Sequence, residues 1–338
     1  MGKAAAARRL AAAAAYGGGG LSLLGASLYG VLRLEALLAR RTIGDPIGVP
    51  PDATGWYGHG RPGPAARIAL LGDSAAAGYG VDSVEDTPGA HLGSGVAEAT
   101  DRRVFLESLA VVGAQSRHLD AQIDRALRSE PDVAVILVGA NDVTHTVLPS
   151  ESVRLLEQGV RRLREAGVEV VVGTCPDLGT VEPIAPPLRQ VARAWSRRLA
   201  AAQTIAVVEA GGRTVSLGSV LGPEFAASPT VLFGPDHFHP SAAGYASLAS
   251  VLLPSVLAAL GVVPAEELEP VAFRGEGVLP VSTAAVEAAR TPGTEVDGTE
   301  VAGSERGTRG RWVLLRRRRR QPEAESVAPE RNEDLAGR

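Results

Sequence analysis

From about residue 67 the chain alternates between two textures. Short apolar runs, rich in β-branched residues, occur at Arg67–Leu71, Val104–Val112, Val133–Val138, Val168–Gly173 and Thr204–Val208. Between them lie stretches with helical spacing, at Pro88–Ala99, Ser116–Ser129, Ser150–Ala166 and Pro187–Ala202. A last helix is expected over Ser241–Leu260, with Ser241 as its N-cap after Pro240. Strands that alternate with helices predict βαβ crossovers and a parallel sheet covered on both faces. Nearly continuous apolar strands fit burial on both sides. In such a sheet, ligands bind beyond the carboxyl ends of the strands.

The pattern weakens at both ends. Residues 42–66 are rich in Gly and Pro and read as a linker into the domain at 67–261. Residues 262–338 are rich in Glu, Arg, Pro, Gly and Thr, a composition expected of a largely disordered tail. Within it, Arg316 to Arg320 follow Arg311-Trp312-Val313-Leu314-Leu315 and read as a solvated charge run or a basic-aromatic lipid anchor. At the other end, residues 1–41 form a signal-anchor-like segment. Leu10 to Leu32 contains no charge, with Lys3, Arg8 and Arg9 before it and Arg33, Arg40 and Arg41 after. About 20 apolar residues span a bilayer as a helix. Three readings stand: an uncleaved signal anchor, a cleaved signal peptide, or a non-spanning amphiphilic arm. Arginines on both flanks leave orientation open. Membrane association through residues 10–32, or export, is the expectation.

Composition narrows this picture only a little. The abundance of Ala, Gly and Arg reads as a genome-wide bias. A net charge of −4 argues against a general nucleic-acid binder. Cys175 is the single cysteine, so no intrachain disulfide can form, and its place in an apolar run marks it as a small core residue.

Two short motifs carry chemistry. Gly72-Asp73-Ser74 follows the first strand, and Asp236-His237-Phe238-His239-Pro240 precedes the last helix. A serine hydroxyl needs a base within hydrogen-bond reach to attack a carbonyl. His239 is the candidate base, and Asp236 can orient its imidazole and stabilise the protonated form. Pro240 is expected to start the helix and so fix His239. His237, next to Asp236, is the weaker alternative base. Negative charge on the attacked oxygen requires donors already in place. The backbone N–H groups of Ser74 and Gly113 and the amide of Asn141 are candidates, all at strand exits on one edge. Loops near residues 79–87, 143–149 and 177–186 are expected to form the pocket, without a readable specificity signal. The run Thr174 to Gly179 reads as a plain strand-to-loop exit rather than a pocket wall.

The blocks Gly72-Asp73-Ser74, Gly113, Gly139-x-Asn141-Asp142 and Asp236-x-x-His239-Pro240 resemble the four signature blocks of the SGNH (GDSL-like) hydrolases. The resemblance covers residues 66–261. It implies a flavodoxin-like three-layer α/β/α fold with a five-stranded parallel sheet. It also implies Ser74 as nucleophile and oxyanion donor, Gly113 and Asn141 as further donors, and Asp236 and His239 completing a triad that cleaves ester bonds. No metal or organic cofactor is implied. Acyl transfer, carbohydrate deacetylation, or a non-catalytic envelope role on the same fold are the alternatives. A metal-dependent phosphoesterase using Asp73, Asn141, Asp142, His145, His237 and His239 is disfavoured, because no Asp-x-His pair sits on the first strand.

Overall fold

The computed structural model describes residues 28–39, 41–44 and 48–262, together with Glu300–Val301 and Ser304–Glu305. Strand alternation builds the core. In strand β2 (Ala66–Gly72), Ile68 and Leu70 point into one apolar cluster while Ala69 and Leu71 point into another. Strand β4 (Val133–Leu137) repeats this, with Val133 and Val135 on one side and Ala134 and Ile136 on the other. Each face therefore needs its own helical cover. Helices α3 (Pro88–Thr100) and α10 (Ala242–Ala259) cover the first face with Leu92, Val96, Tyr245 and Leu252. Helices α4 (Leu119–Ala126) and α6 (Pro149–Glu165) cover the second with Ile123, Leu156 and Val160. Three layers, α/β/α, result.

The sheet has six strands. With β1 (Gly55–Tyr57), β3 (Val104–Ser108), β5 (Glu169–Gly173) and β6 (Arg213–Val215), the spatial order is β1-β3-β2-β4-β5-β6. The five strands from β2 to β6 are parallel, as expected, and β1 adds an antiparallel edge on β3. This edge strand lies inside the Gly/Pro-rich stretch 42–66. Three residues are too short to show a period, and tertiary contacts hold them: Trp56 lies against Phe105 with ring centroids 5.1 Å apart.

The expected fifth strand at Thr204–Val208 is instead the end of helix α7 (Leu188–Glu209), and the strand follows at Arg213–Val215. Local β propensity loses here to a helical stripe. Leu199, Gln203, Ala206 and Val207 recur at three- and four-residue spacing and are all buried. Helices α8 (Leu217–Ala227) and α9 (Pro229–Leu232), which no periodicity announced, complete the route to the last turn.

Ser241 caps α10 as expected, its hydroxyl accepting from Gly244 N–H at 3.1 Å. Pro240 does not start that helix. It precedes the cap and forms an isolated bridge with Phe233. Among the described residues, α10 is the one helix long and apolar enough to cross a membrane. Its residues Tyr245, Leu252 and Val256 are fully buried in the core, so this is weak evidence of membrane association. Of the charge-free N-terminal segment, residues 28–32 open helix α1 (28–39), and residues 10–27 lie outside the described residues. The Arg316–Arg320 run lies outside them too. Beyond residue 262, only the strand pair Glu300–Val301 and Ser304–Glu305 is described.

Candidate active site

Strand β2 ends where β4 crowds it. Gly72 has φ 134°, and a Cβ there would lie 1.8 Å from the Leu137 carbonyl oxygen, so only glycine fits. The chain then turns sharply: Asp73 N–H donates to Leu137 O at 3.0 Å. The Asp73 carboxylate accepts from Ala75 N–H at 2.9 Å and caps the four-residue helix α2 (Ser74–Ala77). Ser74 thus stands at the strand exit. Burial pushes the Asp73 carboxyl up to about 7, with nearby Asp142 adding to the push and the Ala75 N–H bond working against it.

The histidine comes from the turn between α9 and α10. Asp236 Oδ1 accepts from the backbone N–H groups of Phe238 (2.9 Å) and His239 (3.0 Å). Asp236 Oδ2 lies 2.6 Å from His239 Nδ1, and His239 Nε2 lies 3.1 Å from Ser74 Oγ. The turn is closed by Gly234 N–H donating to His239 O at 2.8 Å. The imidazole is also held edgewise between Tyr79 and Phe238, at 4.6 and 4.8 Å between centroids. Burial alone would raise the Asp236 carboxyl. The bonds from the His239 ring and the two N–H groups outweigh it and hold the carboxyl below its ordinary value. His237 adopts φ 54° and turns away, its Nδ1 lying 3.5 Å from Glu182 Oε2. Ser74, His239 and Asp236 are therefore brought into one chain of contacts. His237 is not in it.

Gly113 and Asn141 come from separate strand exits, and a buried carboxylate ties them. Asp142 accepts from Ser116 N–H at 3.2 Å, from Ser116 Oγ at 3.0 Å and from Ser152 Oγ at 3.0 Å. This fixes the 113–116 loop against helix α5 (Ala140–Thr144), which carries Asn141. Desolvation raises the Asp142 carboxyl despite the serine bonds. Gly113 sits in the left-handed region at φ 79°, and a Cβ there would meet nothing within 4 Å, so its loop faces open space. Gly139 carries φ 137° and would press a Cβ to 2.9 Å from the Cys175 Cβ. Among the described residues, neither the N–H groups of Ser74 and Gly113 nor the Asn141 amide has a partner.

Two buried glutamines were not foreseen. Gln122 Oε1 accepts from Gly72 N–H at 2.7 Å, and its amide donates to Gly72 O at 2.9 Å. Gln203 bridges two strand exits in the same manner, accepting from Cys175 N–H at 2.8 Å and donating to Val138 O at 3.1 Å. Each interrupts the apolar face of a helix (beside Ile123 on α4, beside Val207 on α7), and that interruption was the available signal.

A predominantly apolar cavity of about 110 Å³ opens beside Ser74 and His239. Val138, Val181, Leu221 and Phe225 are among its walls. Thr174, Pro176 and Asp177 also line it, so the run read as a plain strand exit is part of the wall. Of the three loops expected to form the pocket, only 177–186 contributes to this cavity, through Asp177, Thr180 and Val181. Asp177 is buried and paired with Arg197 at 2.7 Å. Cys175 is buried, and desolvation pushes its thiol well above the ordinary value, as suits a core residue. Among the described residues no three His, Cys, Asp or Glu side chains are grouped to hold a metal ion.

Residues 70–247 match the model of the GDSL-like lipase/acylhydrolase family. The GDSL-like esterase Rv1075c of Mycobacterium tuberculosis (strain ATCC 25618 / H37Rv) is 42% identical over 245 residues, covering 69% of this chain and 77% of that protein. Among solved structures, an α/β hydrolase from the metagenome of Lake Arreo, Spain, is 20% identical. It covers 58% of this chain and 95% of its own, with a TM-score of 0.46. A catalytic mutant of an acetylxylan esterase from Geobacillus stearothermophilus is 19% identical, with 58% and 94% coverage and a TM-score of 0.43. Likenesses of that depth say nothing of substrate. The family match and the mycobacterial relative decide the matter: the chain belongs to the GDSL-like lipase/acylhydrolase family, the SGNH hydrolases, and is an ester hydrolase of that type.

Proposed function

We propose that the protein cleaves carboxylic esters through an acyl-enzyme formed on Ser74. The observation that carries this reading is the unbroken path from Ser74 Oγ to His239 Nε2 (3.1 Å) and from His239 Nδ1 to Asp236 Oδ2 (2.6 Å). His239 takes the Ser74 proton as Oγ attacks the carbonyl carbon. The resulting oxyanion is met by the N–H groups of Ser74 and Gly113 and the Asn141 amide. Preorganised donors of this kind act strongly in a site that excludes water. Protonated His239, stabilised by Asp236, returns the proton to the departing alcohol. Water then attacks the acyl carbon as His239 takes its proton, and on collapse the bond to Ser74 Oγ breaks, His239 returns the proton to Oγ, and the acid leaves. No step requires a cofactor. The site requires residues 67–261, which we take as the catalytic domain. The charge-free N-terminal sequence supports membrane association or export.

The cavity beside Ser74 supports an acyl chain as its occupant. Its walls are predominantly apolar, with Val138, Val181, Leu221 and Phe225 among them, and suit a hydrocarbon chain rather than a polar one. Two measurements test the proposal together. A fluorophosphonate probe is expected to add to Ser74, seen by mass spectrometry, and Ser74→Ala is expected to lose both the adduct and turnover. Across p-nitrophenyl esters, kcat/KM is expected to rise with acyl length while the chain gains apolar contact in the cavity and to fall once the chain outgrows it. Substantial turnover by Ser74→Ala would refute the scheme.

A further inference from the structure

Helix α1 (28–39) is apolar on the side that faces away from the protein. At 100° per residue, Leu32, Glu35, Ala36 and Ala39 fall on one side, and these are its half-buried or buried positions. Ala39 joins the main core cluster, and Glu35 Oε2 accepts from Leu188 N–H at 2.8 Å. The opposite side carries Val31, Leu34, Leu37 and Leu38, which are 44–57% exposed. A helix resting on a protein in water shows the reverse pattern, with polar residues outward. Contiguous exposed leucines of this kind mark a surface that something covers.

The neighbouring sequence says what covers it. The charge-free sequence Leu10–Leu32, of a length that suffices to span a bilayer, ends in the first turns of α1. Arg33 within the helix and Arg40 and Arg41 after it in the sequence match the sign of an anionic lipid surface. Arg33 lies over the Tyr29 ring at 5.6 Å, an aromatic-cation pair suited to the headgroup level.

The inner side of α1 leads to the catalytic cavity. Leu188, which α1 holds, opens α7 directly after the 178–187 loop. Thr180 and Val181 of that loop wall the cavity, and its Glu182 faces His237, two residues before His239. We propose that the outer face of α1 lies in an anionic bilayer interface and holds the 178–187 wall there, so that the site takes esters presented by the membrane. The substrate class rests on the Ser74 reading above. The surface itself does not.

The full-length protein is tested with vesicles of phosphatidylcholine and phosphatidylglycerol. A polarity-sensitive dye is attached at Leu34→Cys or Leu38→Cys, native Cys175 being buried. The dye is expected to shift to the blue on adding vesicles and to be quenched by a lipid-borne quencher. Phosphatidylcholine alone is expected to give a weaker response. A shift that depends on protein concentration without vesicles would instead identify a second copy as the occupant and overturn the proposal, as would no quenching. The triple variant Leu34→Glu, Leu37→Glu, Leu38→Glu is then assayed on two butyrates, one water-soluble and one anchored in the vesicle by a long alkyl tail. Turnover of the anchored ester is expected to fall about tenfold or more while that of the soluble ester stays within about twofold. Equal loss on both would overturn the coupling. Failure of the wild type on the soluble ester would sink the Ser74 reading, yet the quenching result would still decide the surface.

Discussion

Asp236 uses its two oxygens differently, and this makes its role separable. Oδ1 accepts from two backbone N–H groups and shapes the turn, while Oδ2 faces His239 Nδ1. Asp236→Asn can keep the first set through its own oxygen. Its amide then points at Nδ1, which must give up its proton, so Nε2 carries the hydrogen and cannot accept from Ser74. The variant is expected to fold normally and to lose about 10,000-fold in kcat/KM, the scale seen when a triad carboxylate elsewhere is made an amide. A loss below about tenfold would mean that another group orients the imidazole. Asp73 offers a prediction of the opposite kind, on stability. Its carboxyl is raised from 3.8 to about 7 in the folded protein, so between those values the folded state holds a proton that the unfolded state has released. Stability from this group is complete below the unfolded value, drains away as pH rises, and is gone above about 7. Asparagine still caps Ala75 but never charges. Asp73→Asn should therefore gain in melting temperature relative to wild type between pH 4 and pH 8. Thermal unfolding followed by circular dichroism at both pH values checks this, and a difference that does not grow with pH would refute it.

At the scale of elements, the site depends on how strand exits are held after their ladders end. Gln122 reaches from α4 to grip the Gly72 N–H and carbonyl, two residues before Ser74. The carbonyl has a second donor in Val111 N–H at 3.0 Å. Gln122→Met preserves bulk and leaves the Gly72 N–H buried without that partner, an expected cost of about 1–3 kcal/mol. Urea unfolding reads that cost, and kcat should fall as well because Ser74 loses its footing. Unchanged stability would show that the ladder alone holds the strand end. In the sequence this layer left only a polar residue within an apolar helix face, whereas the strands and most helices were legible. Ile68 to Leu71 had to be apolar on both faces, and Ser241 had to cap α10, both being local requirements. The end of α7 misled because Thr204 to Val208 has strand-like residues, and only its packing places them on a helix. β1 is three residues long and owes its existence to β3. Gly72 and Gly139 were legible as motif letters, but the reason for them, a clash with Leu137 and Cys175, appears only when strands meet.

The whole molecule divides its dependence unevenly between the last helix and the sequence beyond it. Helix α10 fills the first face of the sheet with Tyr245, Leu248, Leu252 and Val256, all buried. It also anchors the loop beside His239, since Tyr245 Oη donates to Tyr79 O at 2.6 Å and Tyr79 stacks edgewise on the imidazole. The helix closes within a few residues: Gly261 N–H donates to Ala258 O, and Val262 N–H to Leu257 O. We propose that the catalytic domain ends with this helix, and a chain stopped at residue 262 should keep its soluble-ester turnover within about twofold. Stopping instead before Ala242 removes four large buried side chains from one core. Each large-to-small loss in a core costs about 2–5 kcal/mol, and whole domains hold only about 5–15 kcal/mol of stability, so that chain should not fold. Turnover of a water-soluble butyrate and the cooperativity of thermal unfolding distinguish these outcomes. If the shorter chain melts cooperatively, α10 is not part of the folding unit. If the longer one loses turnover, sequence beyond residue 262 belongs to the site.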